Sequence, residues 1–183
     1  MMYYTHELSR LSLTPASLLA GAQSRWLRHR LNPLSLMPGT RSIASALNVF
    51  EDLTKRYPKP AFNLDSTECD GNTVLVNETI VKRKPFCQLK HFQREVERPN
   101  DPKLLIVAPL SGHFATLLKG TVETLIPSHD VYITDWRDAC NVPTSEGNFG
   151  LDDYIDYVID FIAHLGPDTH VLAVCQPVVP VLA

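Results

Sequence analysis

The sequence predicts an α/β protein whose second half is built on a parallel sheet. Three short apolar segments, at 104–108, 131–134 and 170–174, lack the polar alternation of half-exposed strands, which is typical of strands covered on both faces. The stretches between them, at 114–126 and 151–165, have apolar residues at helical spacing. Strands that alternate with helices in this way form parallel sheets with right-handed crossovers.

The composition favours a folded protein and excludes several classes. Hydrophobic residues make up 44% of the 183 residues and charged residues 20%, which is enough apolar surface for a packed core. A net charge of −3 argues against a dedicated nucleic-acid-binding protein. The longest apolar run, at 104–110, is far shorter than the roughly 18 residues of a membrane span, so no transmembrane segment is predicted.

The cysteines indicate neither a metal site nor a disulfide scaffold. Cys69, Cys87, Cys140 and Cys175 form no CxxC pair and have no histidine at ligand spacing. Nothing in the sequence indicates a cofactor. No charged and apolar leader precedes a cleavage site, so the cytoplasm is the predicted location.

Residues 1–57 are predicted to form a helical N-terminal segment. Thr14 and Pro15 occupy the positions of a helix cap and of the first helical residue, so a helix is expected to start there. A second helix is predicted at 40–57, and Pro58 ends it.

The charge is uneven along the chain. Residues 1–50 hold five arginines and one glutamate, a net of +4, whereas residues 51–183 hold 12 basic and 19 acidic residues, a net of −7. We favour the interpretation that the basic part is a peripheral helical segment packed on the following domain. A mitochondrial transit peptide and a surface helix that touches a membrane-like or polymer surface are the alternatives.

Residues 58–103 are predicted to contain a loop followed by an antiparallel pair of strands. The loop, at 58–72, is rich in proline and other turn residues. The strands, at 73–82 and 86–94, carry β-forming residues and would extend the sheet at one edge. The basic turn between them is interpreted as a solvated hairpin tip.

The helix at 151–165 is the clearest in the sequence because its apolar residues lie on one face. Gly166 and Pro167 end it. The acids on its other face are interpreted as a solvated surface and not as a metal cluster: Asp152, Asp153, Asp156 and Asp160.

Cys175 is the candidate nucleophile. It follows the strand at 170–174 and precedes a predicted helix, and a sharp strand-to-helix turn exposes its residue at the top of the sheet, as in a nucleophile elbow. The positions usually occupied by flanking glycines hold Ala173 and Pro177. The alternative interpretation is a buried cysteine that acts as a small apolar residue.

Two segments are predicted to supply an oxyanion hole. The backbone N–H of the residue after the nucleophile, here Gln176, is one donor. In the α/β-hydrolase fold the loop after an earlier strand supplies the second donor, and Leu110 and Ser111 are both candidates. The alternatives at this loop are Ser111 as a nucleophile, His113 as a base, or a simple turn.

The remaining polar candidates are interpreted as structural. Asp135 and Trp136 end the strand at 131–134, and Asp135 is expected to cap the turn, with a catalytic acid as the alternative. The other histidines show no pairing with one another or with Cys140, and each is expected to be a surface or capping residue: His6, His29, His91, His129, His164 and His170.

Three blocks of the chain resemble the intracellular polyhydroxyalkanoate depolymerases. They are 107–113 (VAPLSGH), 131–136 (VYITDW) and 174–183 (VCQPVVPVLA). The resemblance continues in shorter segments at 32–36 (NPLSL), 59–62 (KPAF) and 84–87 (KPFC), so it covers nearly the whole chain. This family is similar to the polyhydroxyalkanoate synthases, which also use a cysteine at the elbow of an α/β-hydrolase fold.

The resemblance implies degradation of a 3-hydroxybutyrate-type polyester through an acyl-enzyme on Cys175. The thiolate would attack the ester carbonyl, and the N–H groups of Gln176 and of the loop at 110–112 would stabilise the oxyanion. A histidine oriented by an acid would activate water or another acyl acceptor. The implied partner is the polymer, or its oligomers, at the surface of cytoplasmic storage granules, and homo-oligomerisation is left open.

In the resembled family the acid and the histidine follow the nucleophile along the chain, and eight residues follow Cys175 here. We therefore expect residues 58–183 to be an incomplete α/β-hydrolase domain, the N-terminal half of the sheet through the elbow. The 183-residue segment alone is expected to be inactive.

Two other functions remain as alternatives. A synthase-like acyltransferase would keep a glycine at the position of Pro177, so this proline favours the depolymerase. A non-catalytic granule-associated protein would use the basic residues 1–50 for binding.

Overall fold

The computed structural model has two compact units, Met1–Pro58 and Lys59–Ala183. The described residues are 2–29, 32–37, 39–55, 59–96, 98–110 and 114–183. The first unit contains helices, and the second contains a mixed sheet with helices. The chain is therefore an α/β protein.

The first unit is a pair of helices, α1 (Met2–Arg28) and α2 (Thr40–Thr54), with a short 3-10 turn (Pro33–Leu36) between them. The helices pack through small residues. Ser24 and Ala44 are fully buried, and the Ser24 hydroxyl donates to the Ala44 carbonyl oxygen at 2.8 Å. Small side chains at the contact let two helix axes approach closely.

One face of α1 is apolar and exposed. Large apolar side chains recur at helical spacing along this face, which lies opposite the small residues that contact α2. Each of the following side chains is more than half exposed: Leu8, Leu11, Leu18, Leu19 and Trp26.

Pro15 lies inside α1, so the prediction that it begins a helix is wrong. An internal proline removes one backbone hydrogen bond and costs about 3 kcal/mol. Pro15 is exposed, which lets water solvate a carbonyl that has lost its N–H donor. The second helix also ends earlier than predicted, at Thr54, because Lys55 has an extended backbone with φ −72° and ψ 138°.

The second unit is a six-stranded mixed sheet with helices on its two faces. The strands are β1 (Ser66–Cys69), β2 (Asn72–Arg83), β3 (Cys87–Arg94), β4 (Lys103–Val107), β5 (Asp130–Trp136) and β6 (His170–Ala173). Their order in space is β1-β2-β3-β5-β4-β6. The helices are α3 (Lys119–Leu125), α4 (Leu151–Leu165) and α5 (Val178–Leu182), with 3-10 turns at Ala115–Leu118, Ala139–Asn141 and Thr144–Glu146.

The predicted parallel sheet is confirmed for β5, β4 and β6. β4 lies between the other two strands and is parallel to both, with Leu105 opposite Tyr132 on one side and opposite Val171 on the other. Successive side chains of β4 point to opposite faces of the sheet. Ile106 packs in the cluster that includes α3, and Leu105 packs in the cluster that includes α4, which explains why this strand lacks polar alternation.

The antiparallel pair predicted at 73–94 is confirmed as an extension of one edge, since β3 pairs antiparallel with β5 and β2 pairs antiparallel with β3. β1 pairs with β2, so the prediction of a loop over its residues is wrong. Asp70 and Gly71 have φ values of 51° and 80°. Positive φ at both central residues is the conformation of a type I′ hairpin turn, for which Asp-Gly is a strong signal.

The basic turn between β2 and β3 is not a free solvated tip. The amines of Lys82 and Lys84 lie 2.7 and 2.8 Å from the two carboxylate oxygens of Asp160 on α4. The hydrogen bond from Lys82, followed by that from Lys84, lowers the pKa of Asp160 below its usual value. The interpretation of Asp160 as part of a merely solvated face is therefore wrong.

The segment predicted as a helix at 114–126 is only partly α-helical. It begins with the 3-10 turn Ala115–Leu118, and α3 occupies Lys119–Leu125. Its apolar side chains still cover the sheet, because Leu118, Val122 and Ile126 are buried in the same cluster.

Candidate active site at the carboxyl edge of the sheet

The carboxyl ends of the three parallel strands meet at one edge of the sheet. β4 ends at Val107 and β6 ends at Ala173, and these two residues are partners in the register of the strands. β5 ends at Trp136. The loops that leave this edge supply the ligand-binding groups of open α/β sheets. Leu110 and Cys175 both lie in such loops.

Cys175 occupies the turn between β6 and α5 with an unusual backbone. Its φ is 68°, a left-handed value that is uncommon outside glycine and costs about 1–2 kcal/mol. Its thiol is exposed, so the alternative of a buried apolar cysteine does not describe it. A strained, exposed residue between a strand and a helix is the geometry of a nucleophile elbow.

The residues after Cys175 form α5 without the usual glycine. Pro177 has φ −63° and is buried, and its lack of an N–H is harmless at the start of a helix. Pro180 lies within α5 and is also buried. The Gln176 carbonyl, which a regular helix would pair with residue 180, accepts the Val179 N–H at 3.3 Å instead.

The other cysteines are less suited to attack. Cys69 and Cys87 are buried. Burial, and secondly the carboxylate of Asp135, raise the pKa of Cys87 well above its usual range, and the thiolate is the nucleophilic form. Cys140 is exposed but lies in the 3-10 turn Ala139–Asn141 and not in a turn from a strand into a helix.

The loop after β4 contacts the elbow through Leu110. The backbone N–H of Leu110 donates to the side-chain Oε1 of Gln176 at 3.1 Å. This bond brings one of the two candidate oxyanion donors to the residue that follows Cys175. The other candidate, Ser111, lies outside the described residues, and so does His113, together with the alternative roles considered for both.

The residue at which this loop begins, Ala108, has both of its backbone polar groups satisfied by side chains. Its N–H donates to the Thr134 hydroxyl oxygen at 2.9 Å. Its carbonyl oxygen accepts the indole N–H of Trp136 at 2.9 Å and the hydroxyl of Tyr154 at 3.3 Å. No sequence pattern predicts Thr134 or Tyr154 as residues of this region.

Asp135 is a buried member of an ion-pair network and does not cap a turn as predicted. Its side chain is 3% exposed and pairs with the amines of Lys59 and Lys90, the latter at 3.3 Å. Burial alone would lower the pKa of Lys90, but the hydrogen bond to Glu78 and the charge of Asp135 raise it above its usual value. This network braces β3 against β5, a structural role.

No histidine among the described residues hydrogen-bonds to the Cys175 thiol. His91, predicted to be a surface or capping residue, pairs through Nε2 with Asp130 Oδ1 at 2.6 Å and stacks on Tyr132. Burial would raise the pKa of Asp130, but the hydrogen bond from His91 lowers it. His91, Asp130 and Lys103 line a cavity of about 560 Å³ at the amino ends of the parallel strands, the edge opposite Cys175.

Three observations concern the chain more widely. Within the described ranges, no three His, Cys, Asp or Glu side chains converge so that they could hold a metal ion. No helix in the part of the chain that the structure describes is long and apolar enough to cross a membrane. Comparison with protein-family models, with curated proteins and with solved structures finds no match.

Proposed function

We propose that this chain carries the nucleophile elbow of an intracellular polyhydroxyalkanoate depolymerase with an α/β-hydrolase fold. The observation that supports it most strongly is the conformation of Cys175, an exposed thiol at φ 68° between a parallel strand and a helix. Backbone strain of this kind is concentrated at active sites. Because the side chain is exposed, core packing gives no reason for it.

The orientation of the Leu110 N–H is the second support. It donates to the amide oxygen of the Gln176 side chain, and an amide oxygen is chemically similar to the carbonyl oxygen of an ester. When the Gln176 side chain turns away, the same N–H becomes available to an acyl oxygen beside Cys175. With the backbone N–H of Gln176 it forms the proposed oxyanion hole.

The proposed chemistry is acyl transfer to sulfur. The Cys175 thiolate bonds to the carbonyl carbon of a polymer ester, and the π electrons move to the oxygen held by the two N–H groups. The tetrahedral intermediate then expels the alkoxide of the polymer, which takes up a proton, and leaves a 3-hydroxyacyl thioester on Cys175. Water or another thiol finally accepts the acyl group.

The resemblance of three sequence blocks supports the substrate class, a 3-hydroxybutyrate-type polyester in cytoplasmic granules. Pro177 at the position where a synthase-like elbow keeps a glycine favours degradation over polymerisation. The base that deprotonates the thiol, and the acid that orients it, are assigned to no described residue.

Covalent labelling tests the proposal. The chain is treated with p-nitrophenyl butyrate, and the acylated cysteine is located by mass spectrometry. We expect a thioester at Cys175 that is absent from Cys175→Ala and unchanged in Cys140→Ser, which removes the other exposed thiol. Iodoacetamide alkylation of both thiols corrects for exposure. An acylation-to-alkylation ratio at Cys175 no higher than that at Cys140 would overturn the proposal.

A non-catalytic role at polymer granules is the second candidate, and the exposed apolar face of α1 favours it. Leu11 and Leu18 on this face are 66% and 62% exposed. The residues of this unit carry an excess of basic charge, and basic helices with one exposed apolar face bind interfaces.

Sedimentation with poly(3-hydroxybutyrate) granules tests this second role. We expect the double variant Leu11→Asp, Leu18→Asp to lose granule binding. The matched control is the double variant Ala16→Asp, Gln23→Asp, which adds the same two charges at exposed positions of the same helix outside the apolar face, and it should keep binding. Unchanged sedimentation of the leucine variant, with helicity preserved by circular dichroism, would exclude the apolar face as the binding surface.

A further inference from the structure

Side chains of β5 and α4 hold the backbone of Ala108, where the chain leaves β4. Ala108 is fully buried, and a buried backbone N–H or carbonyl without a partner is costly. In a continuing ladder its N–H would bond to a backbone carbonyl of β5, but the last paired residue of β4 on that side is Ile106. The Thr134 hydroxyl oxygen accepts the Ala108 N–H instead, at 2.9 Å. Strand pairing therefore ends at Ala108 without leaving a buried N–H unpaired.

The carbonyl of Ala108 is fixed by two aromatic residues. Trp136 Nε1 donates to it at 2.9 Å from β5, and the Tyr154 hydroxyl donates at 3.3 Å from α4. Both rings are nearly buried, at 4% and 3% exposure. They pack edge to face with centroids 4.5 Å apart, so neither donor is free to swing away. We call Thr134, Trp136 and Tyr154 the Ala108 clamp.

The clamp controls the direction of the Leu110 N–H through the intervening proline. The Ala108–Pro109 peptide is planar and trans, so a fixed carbonyl fixes this whole peptide plane. The ring of Pro109 then restricts its φ to about −65°. Only the ψ angle of Pro109 is left to vary before the Leu110 N–H, so the clamp restricts this N–H to the directions reached by rotation about one bond.

We propose that Thr134, Trp136 and Tyr154 are positioning residues for acyl transfer at Cys175, because they aim the Leu110 N–H at the oxygen of the reacting carbonyl. The inference rests on the proposed function and assigns these three side chains a role in it. They act through the loop and touch neither the thiol nor the ester. Loss of one clamp hydrogen bond lets the loop drift, and small displacements of a catalytic group have large effects on rate.

The test compares two reactions of one thiol. Acylation of Cys175 by p-nitrophenyl butyrate develops an oxyanion, whereas alkylation by iodoacetamide displaces iodide at a saturated carbon and develops none. In a Cys140→Ser background, Tyr154→Phe and Thr134→Val each remove one clamp hydrogen bond with little change in volume, and Trp136→Phe removes the third with a smaller ring. We expect each to slow acylation about 3- to 10-fold, with alkylation unchanged within about 2-fold.

Two controls separate positioning from stability. Thr134→Ser keeps the hydroxyl and is expected to keep the acylation rate. Tyr132→Phe removes a half-buried hydroxyl of the same strand that bonds to Asp130 at the other edge, and it is expected to change neither reaction. An equal loss of acylation and alkylation in the clamp variants, or no loss of acylation, would overturn the inference.

A different outcome marks failure of the proposed function. If the wild-type ratio of acylation to alkylation equals that of free glutathione, Cys175 has no oxyanion hole to position. If that ratio is raised but the clamp variants retain it, the elbow is functional and only the clamp is refuted.

Discussion

The left-handed backbone of Cys175 predicts that glycine at this position stabilises the protein. Cys175 has φ 68°, which costs a residue with a Cβ about 1–2 kcal/mol. Glycine removes that cost. It also gives the unfolded chain more conformational freedom, which lowers the free energy of unfolding by about 0.4–1 kcal/mol. The thiol is exposed, so little packing is lost. The expected net gain for Cys175→Gly is about 0.5–1 kcal/mol.

Urea denaturation measures this gain. In a Trp26→Phe background the fluorescence reports Trp136, a buried member of the Ala108 clamp in the second unit. Cys140→Gly is the matched control because Cys140 is an exposed cysteine in a 3-10 turn, where glycine is expected to cost about 0.5–1 kcal/mol. Cys175→Ala keeps the Cβ and should leave stability unchanged.

The reasoning is refuted if Cys175→Gly destabilises the second unit as much as Cys140→Gly does. That result would mean that the turn holds Cys175 without strain, and the main structural support for an elbow would be lost. A gain in stability together with loss of acylation would be the expected exchange of activity for stability at a strained site.

Three further predictions concern the contacts around the site. Gln176→Met removes the side-chain oxygen that accepts the Leu110 N–H, so this N–H is available to the acyl oxygen. The rate of Cys175 acylation by p-nitrophenyl butyrate should therefore rise about 2- to 5-fold. A lower rate would mean that Gln176 holds the loop in place. Asp135→Ala leaves Lys90 without one partner and should lower the free energy of unfolding by about 2–3 kcal/mol in urea, less than for a fully buried pair because the lysines are partly exposed. The lowered pKa of Asp160 means that its contribution to stability is present above about pH 3.8 and is lost as the pH falls through the lower folded value; Asp160→Asn should therefore flatten the acid side of the stability profile.

The parallel part of the sheet could be predicted because its signal is local. Each residue of 104–107 is apolar, and all four are buried between helices on two faces. A strand that must be apolar on both faces shows this in any short window of sequence. The positions of Leu110 and Cys175 follow from the same signal, because residues just after parallel strands collect at one edge.

The errors arise where one local rule competes with another. Proline favours the first position of a helix, which predicts a helix start at Pro15, but continuation of α1 on both sides of Pro15 outweighs one lost hydrogen bond. The prolines of 58–72 predict a loop over β1, whereas Asp70 and Gly71 favour a hairpin turn with a strand before it. In the structure Asp70 and Gly71 both have positive φ values and form the hairpin turn that joins β1 to β2.

The Ala108 clamp could not be predicted because its hydrogen bonds join residues from different elements. In the sequence Tyr154 is one of several apolar positions on a helix face, and nothing distinguishes its hydroxyl from that of a surface tyrosine. Its role depends on α4 crossing the sheet beside Trp136, so that both donors reach one carbonyl. Such a meeting depends on tertiary packing and leaves no local pattern.

The turn at Cys175 keeps its strain on the cysteine although the positions of the usual flanking glycines hold Ala173 and Pro177. A glycine two residues after the nucleophile would let the backbone make part of the tight turn at little cost. Here Pro177 holds that position with φ −63° and is buried, so it cannot adopt a left-handed conformation. The reversal from β6 into α5 must then be made at Cys175, where φ is 68°. Pro177 therefore leaves Cys175 as the residue at which the chain reverses between β6 and α5.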